Sequence, residues 1–141
     1  MNPGAYAGDL SPRQAWELLQ QEGSATLVDV RTEPEWQFVG IPDLAALARR
    51  PALVSWQVYP SMQPDPAFVE KVATVAADRD APVLFLCRSG ARSRAAAMAM
   101  TAAGWQRCYN VAEGFEGDKD PQGHRGTVGG WKVADLPWAQ G

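Results

Sequence analysis

The sequence predicts an α/β domain with a central, mainly parallel sheet and helices on both faces. Three observations carry that reading. Residues 26–30 and 82–86 are short, apolar and rich in branched side chains, as strands buried on both faces require. Helix-start signals stand between such runs, at Ser11-Pro12, Thr32-Glu33-Pro34 and Asp65-Pro66. A polar loop after 82–86 leads directly into an alanine-rich segment. Strands alternating with helices in this way form parallel sheets with right-handed crossovers.

Taken in order, Ser11-Pro12-Arg13-Gln14 opens a helix: Ser11 caps, Pro12 suits the first helical position, and Gln14 completes a capping box. Trp16, Leu18 and Leu19 give it an apolar stripe, and Gly23 stops it. Thr26-Leu27-Val28-Asp29-Val30 is a buried strand, and Thr32-Glu33-Pro34-Glu35-Trp36 begins a short helix. Trp16 and Trp36 are expected in the core. Between Pro42 and Pro51, Leu44, Leu47 and Ala48 fit one face of a short helix. Leu53–Tyr59 reads as a strand and Pro60–Pro64 as a loop. Asp65 caps the next helix, with Pro66 at its first position and Phe68, Val69, Val72, Val75 and Ala76 at helical spacing. Pro82–Leu86 is the apolar central strand. Ser93 starts the alanine-rich helix, which ends near Gly104, and Arg107–Val111 is a further strand. Six glycines between Gly114 and Gly130 mark a long loop.

Composition bounds the function. The chain has 141 residues, 46% apolar and 21% charged, which suits one globular domain over 1–141 that needs no disulfide or metal staple. A net charge of −3 implies no nucleic-acid partner by default. The longest near-apolar stretch, Ala95–Trp105, is far short of the ~20 residues that span a bilayer, so no membrane role is expected. The N-terminus lacks the basic and apolar regions of a secretory signal, and there are only two cysteines, Cys87 and Cys108. The expected location is cytoplasmic.

The chemistry concentrates in Cys87-Arg88-Ser89-Gly90-Ala91-Arg92-Ser93. The buried strand delivers Cys87 to the carboxyl edge of the sheet, where open α/β sheets bind ligands. The loop then becomes a helix N-terminus, whose free N–H groups and dipole favour an anion. Gly90 lets the loop curl into a nest of N–H groups, and Arg88 and Arg92 add positive charge. Settings of this kind bring a cysteine from about 8.5 to roughly 3.5–7.5. Cys87 is therefore expected to be a thiolate nucleophile at neutral pH.

This loop resembles the active-site loop of the single-domain rhodaneses, the thiosulfate:cyanide sulfurtransferase family. Other segments are similar to that family too: Leu10-Ser11-Pro12, Val28-Asp29-Val30-Arg31-Thr32-Glu33-Pro34-Glu35-Trp36, Tyr109-Asn110-Val111 through Gly114, Gly130-Trp131-Lys132 and Leu136-Pro137-Trp138. The similarity runs from about residue 8 to 138. It implies a three-layer rhodanese-like fold and a persulfide mechanism. Cys87 would take sulfur from thiosulfate or a similar small anionic donor and pass it to a thiol, cyanide or a thioredoxin-like acceptor. Arg88 and Arg92 would bind the donor, with Arg92 also bracing the loop. Ser89, Gly90, Ala91 and Ser93 would offer backbone N–H groups, with a Ser89 or Ser93 hydroxyl assisting. No metal or organic cofactor is implied.

Three rival readings remain at this point. One is a non-catalytic sulfur-carrier or partner-binding module. The second is a phosphatase or arsenate reductase. The third is a redox role, with Cys87 cycling through sulfenic acid. The related phosphatases use Cys-x5-Arg, whereas Cys87 to Arg92 is Cys-x4-Arg, a loop sized for one sulfur atom rather than a tetrahedral phosphate. The sequence departs from the family where a Gly-His-Ile-Pro-Gly-Ala segment is common. Here it reads Val39-Gly40-Ile41-Pro42-Asp43-Leu44, without the histidine. The Gly114–Gly130 segment is also longer than the usual brief turn.

Weaker signals take structural readings. Asp118–Gly123 begins like a calcium loop, but position twelve is Gly129 where a glutamate is required, so a surface turn is expected. His124 is expected on a surface loop and Cys108 as a packed thiol. Asp29 and Arg31 flank Val30 and so share one strand face, which favours a structural ion pair. Trp56, Tyr59 and Met62 are expected to wall the pocket, with Phe115 and Trp131 covering the site from the tail.

Overall fold

The apolar runs pair with one another as parallel strands. The structure, a computed structural model, describes residues 6–58 and 61–140. The strands are β1 (Gly8–Leu10), β2 (Thr26–Asp29), β3 (Ile41–Pro42), β4 (Ala52–Leu53), β5 (Gln57–Val58), β6 (Gln63–Pro64), β7 (Val83–Leu86), β8 (Cys108–Val111) and β9 (Trp138–Ala139). The α-helices are α1 (Pro12–Gln21), α2 (Glu33–Phe38), α3 (Phe68–Val75) and α4 (Ala91–Ala102). Five strands form the central sheet in the order β1-β8-β7-β2-β4, every pair parallel. β7 lies in the middle with all four residues buried, which is why its sequence is apolar without alternation.

Alternate residues of the strands build two cores. Val28, Val30, Val83, Phe85, Cys87 and Cys108 face α3 and α4, where Phe68, Val72, Ala96, Ala97 and Met100 meet them. Leu27, Leu84, Leu86 and Val111 face Ala15 and Leu19 of α1 and a C-terminal segment that supplies Phe115, Trp131 and Leu136. Helical or irregular layers thus cover both sheet faces, as expected. The start of α1 is the expected capping box: Gln14 N–H donates to Ser11 Oγ at 3.1 Å, and Ser11 N–H to Gln14 Oε1 at 2.9 Å.

Several elements differ from expectation. The 53–59 strand is broken: Val54 and Trp56 N–H still donate to Asp29 and Val30 carbonyls of the β2 segment, but the chain then turns into a separate antiparallel hairpin, β5–β6. The turn uses a left-handed Met62, and part of the expected 60–64 loop is therefore strand. Tyr59 and Pro60 lie outside the described residues. α3 begins at Phe68 because Asp65 Oδ1 accepts the Ala67 N–H, closing a turn before the helix. α4 begins at Ala91, two residues before Ser93, because Gly90 ends the loop. Between Pro42 and Pro51 there is only a 3-10 turn, Ala45–Leu47, stopped by left-handed Ala48. β1, β3 and β9 were not expected. They are two or three residues long, and their pairing partners are distant in sequence. Trp36 is half-buried outside both cores and lines an apolar groove with Leu53, Val54 and Val58. Trp16 packs edge-on against Trp131, centroids 5.9 Å apart.

Asp29 and Arg31 do form an ion pair, and both are fully buried. Arg31 Nη2 donates to Asp29 Oδ2 at 2.6 Å and to the Gly40 carbonyl at 2.7 Å, and Arg31 Nε donates to Asp29 Oδ1 at 2.9 Å. Its guanidinium carbon lies 4.3 Å from the centre of the Phe115 ring. Removing one member of such a pair strands the other charge in the interior. Asp29→Ala is expected to lower stability by about 3–5 kcal/mol. Lys71→Ala, which breaks the half-exposed Asp65 pair and leaves the Asp65 turn intact, is expected to cost under about 1 kcal/mol. Urea denaturation of the two variants tests the contrast.

Candidate active site

The carboxyl end of β7 places Cys87 at the floor of a cleft of about 320 Å³. Glu35, Gln57, Met62, Cys87, Arg88, Ser89, Ala91 and Arg92 line it. The Cys87 side chain is 1% exposed, so the sulfur is presented only through this opening.

The loop curls because Gly90 takes φ +113°. A Cβ there would drive into the carbonyl oxygen of Ala112. In this conformation Gly90 N–H donates to Cys87 Sγ at 3.1 Å. The next three N–H groups, on Ala91, Arg92 and Ser93, belong to the first turn of α4, ahead of the first helical bond from Arg94 N–H to the Gly90 carbonyl. Ser93 is fully buried and its Oγ lies 3.2 Å from Cys87 Sγ. The loop therefore gathers backbone N–H groups and a helix N-terminus around the Cys87 sulfur, an arrangement chemically suited to an anion.

The two arginines differ. Arg88 is exposed and has no carboxylate partner among the described residues. Arg92 instead makes a bidentate pair with Glu35 of α2, at 2.8 and 2.9 Å. Burial opposes the Arg92 charge, but hydrogen bonding and attraction to Glu35 outweigh it and strengthen its hold on the proton. Burial likewise opposes the Glu35 charge. The Arg92 hydrogen bonds, the Arg92 charge and donation from Thr32 N–H and Oγ1 overcome that and lower its pKa to about 2. Arg92 is thus a brace between the loop and α2 while also lining the cleft.

The expected pocket wall is only partly present. Met62 lines the cleft. Trp56 does not: it packs edge-on against Phe68, centroids 5.0 Å apart, on the core side of the sheet. Phe115 and Trp131 do not cover the site either. Both are fully buried beneath the loop, on the opposite face of the sheet. The backbone of this segment matters more than its rings. Phe115 N–H donates to the Cys87 carbonyl at 2.8 Å, and Glu116 and Gly117 N–H donate to the Arg88 carbonyl at 3.0 and 3.1 Å. Gly114 allows that approach, since a Cβ there would lie 2.5 Å from the Arg88 carbonyl. Sequence reasoning did not single out Glu35, Gln57 or Asn110 as site residues. For Glu35, the Thr32-x-x-Glu35 capping pattern was the available signal, but it pointed to helix initiation alone.

The remaining candidates are structural. Cys108 is fully buried, and burial pushes its thiol up to about 11. His124 is exposed. The Asp120 carboxylate accepts from the N–H groups of Gln122 and His124 and from Thr127 Oγ1, so it ties a surface turn.

Two substitutions test this geometry. Gly90→Ala combines left-handed strain with a backbone collision and is expected to cost at least about 2 kcal/mol in urea denaturation. Glu35 contributes stability that is complete above its ordinary value of 4.5 and is lost as pH falls toward about 2. Denaturation curves between pH 2 and 5 are expected to show a smaller pH dependence in Glu35→Gln than in the unaltered chain.

Comparison with known proteins agrees with this fold. Residues 7–141 match the family model described as the STR4 middle domain. The solved structure of Rv0390 from M. tuberculosis superposes with a TM-score of 0.88 at 48% identity, covering 96% of this chain and 99% of that one. The uncharacterized protein RC0915 of Rickettsia conorii is 38% identical over 126 residues, 89% of this chain and 91% of its own. The thiosulfate sulfurtransferase GlpE of Actinobacillus pleuropneumoniae is 30% identical over 109 residues, 77% of this chain and 83% of its own. The fold, the cysteine loop and these relatives together place the chain in the single-domain rhodanese-like family.

Proposed function

We propose that the protein is a sulfurtransferase that works through a Cys87 persulfide. The observation that carries this is the position of Cys87 Sγ: it sits at the base of a six-residue loop, accepting the Gly90 N–H, with the α4 N-terminus beside it and Arg88 free at the mouth. Family-level similarity to sulfurtransferases supports the same chemistry.

The reaction follows from those groups. The Cys87 thiolate attacks the outer sulfur of thiosulfate or a similar anionic donor. A new S–S bond forms as the donor's S–S bond breaks, and sulfite leaves with the bonding pair. The outer sulfur of the Cys87 persulfide then lies in the cradle of N–H groups, which stabilise its charge. A thiol, cyanide or thioredoxin-like acceptor attacks that sulfur and the Cys87 thiolate departs. Two nucleophilic displacements on sulfur need no histidine base, so the missing histidine near Gly40 removes no required group. Arg88 attracts and orients the donor, while Glu35 and Arg92 hold the loop in register with α2. Reaction in the cytoplasm fits this chemistry, because thiol acceptors are kept reduced there.

Thiocyanate formation from thiosulfate and cyanide tests the proposal. Cys87→Ser is expected to abolish turnover, and Cys108→Ser to retain it. Arg88→Ala is expected to lower kcat/KM for thiosulfate roughly ten- to a hundredfold, through loss of one charge-assisted contact. Full turnover in Cys87→Ser would overturn the reading.

A further inference from the structure

A polar chain, buried except at its far end, runs from Cys87 away from the cleft, and sulfur transfer as described above makes no use of it. Cys87 Sγ lies 3.2 Å from Ser93 Oγ, Ser93 Oγ donates to Asn110 Oδ1 at 2.6 Å, and Asn110 Nδ2 donates to Asp9 Oδ1 at 3.1 Å. Tyr6 OH also donates to Asp9 Oδ1, at 2.8 Å. Ser93 is fully buried, and Asn110 and Tyr6 are 4% exposed. The sheet register builds the chain, because Asp9 and Asn110 are direct partners across β1 and β8.

The polarity of this chain is fixed from its far end. An ionised Asp9 only accepts, so the Asn110 amide must turn its Nδ2 toward Asp9 and its Oδ1 toward Ser93. Asn110 Oδ1 only accepts, so it takes the single hydroxyl proton of Ser93. Ser93 then faces the sulfur with a lone pair. A lone pair suits the S–H of a thiol and disfavours a thiolate.

We propose that Asn110 is a positioning residue that restrains ionisation of Cys87 by occupying the Ser93 hydroxyl proton. When Cys87 ionises, its proton leaves to solvent. Ser93 keeps its own proton and must turn it away from Asn110 to serve the sulfur. The charged groups around Cys87 are Arg88 on the loop, Arg92 on α4, Glu35 on α2 and the Asp29–Arg31 pair at the end of β2. Asp9 and Tyr6 close the far end of the chain, with Arg94 5.9 Å from the Tyr6 ring. None of these other groups bonds to the Ser93 hydroxyl. A further consequence rests on the persulfide reading. The Cys87 thiolate is the leaving group when sulfur is discharged, and a more basic thiolate leaves more slowly. Asn110 would thereby prolong the life of the persulfide.

The test is the pH profile of iodoacetamide alkylation, followed by mass spectrometry at the Cys87 peptide. It requires no sulfur donor, so it stands or falls separately from sulfurtransferase activity. Asn110→Leu keeps the shape but removes the acceptor. Its alkylation midpoint is expected about one pH unit below that of the unaltered chain, with roughly three- to fourfold faster reaction below the midpoint, since the less basic thiolate is also the weaker nucleophile. The shift is expected to vanish when Asn110→Leu is compared in a Ser93→Ala background. Asp9→Asn, on the exposed edge strand, frees the amide to flip and is expected to shift the midpoint in the same direction, less far. This variant decides the matter if Asn110→Leu fails to fold. An unchanged midpoint, or a shift that persists without Ser93, would overturn the proposal. Mere loosening of the core would lower stability without requiring Ser93 for the shift.

Discussion

The loop depends on one backbone interaction, the bond from Phe115 N–H to the Cys87 carbonyl. A strand that ends in a tight, left-handed loop exposes carbonyls that the sheet no longer pairs. Residues 115–117 supply the missing donors from behind, for Cys87 and again for Arg88. With its carbonyls turned back into the protein, the loop is free to turn N–H groups toward the sulfur. The same segment buries Phe115 against Arg31, so the clamp behind the loop is continuous with the ion pair at the end of β2. The glycine-rich tail is thus part of what shapes the loop around Cys87.

A second anchor comes from the side. Glu35 belongs to the short helix after β2, and Arg92 belongs to the first turn of α4. Their bidentate pair joins the crossovers on either side of the cleft. It also redistributes charge. With Arg92 committed to Glu35, Arg88 remains the unpaired cation at the mouth among the described residues. The cleft consequently combines one free positive charge with the helix N-terminus and the loop N–H groups.

Much of this was legible in the sequence, because local signals and global packing agree there. The apolar 82–86 run could only be a central strand, and Cys87 through Ser93 could only follow it as a loop entering a helix. Asp29 and Arg31 were readable as an ion pair because strand alternation puts them on one face. What escaped depends on partners far apart in the chain. β1 and β9 are too short to carry a pattern, and pairing with β8 and β3 makes them strands. Trp56 points into the core because β4 ends at Leu53 and the chain turns toward the hairpin. Glu35 and Asn110 have no local signal for a site. Their roles arise from contacts 57 residues away, to Arg92, and 17 residues away, to Ser93.

The central claim is that this loop makes Cys87 a sulfur acceptor. Intact-mass spectrometry of the reduced protein after brief exposure to thiosulfate, before any acceptor is added, tests it most directly. The account predicts a gain of one sulfur atom, about 32 Da, located at Cys87 and removed by cyanide. A protein that gains no sulfur, while Cys87 still reacts readily with an alkylating reagent, would contradict it.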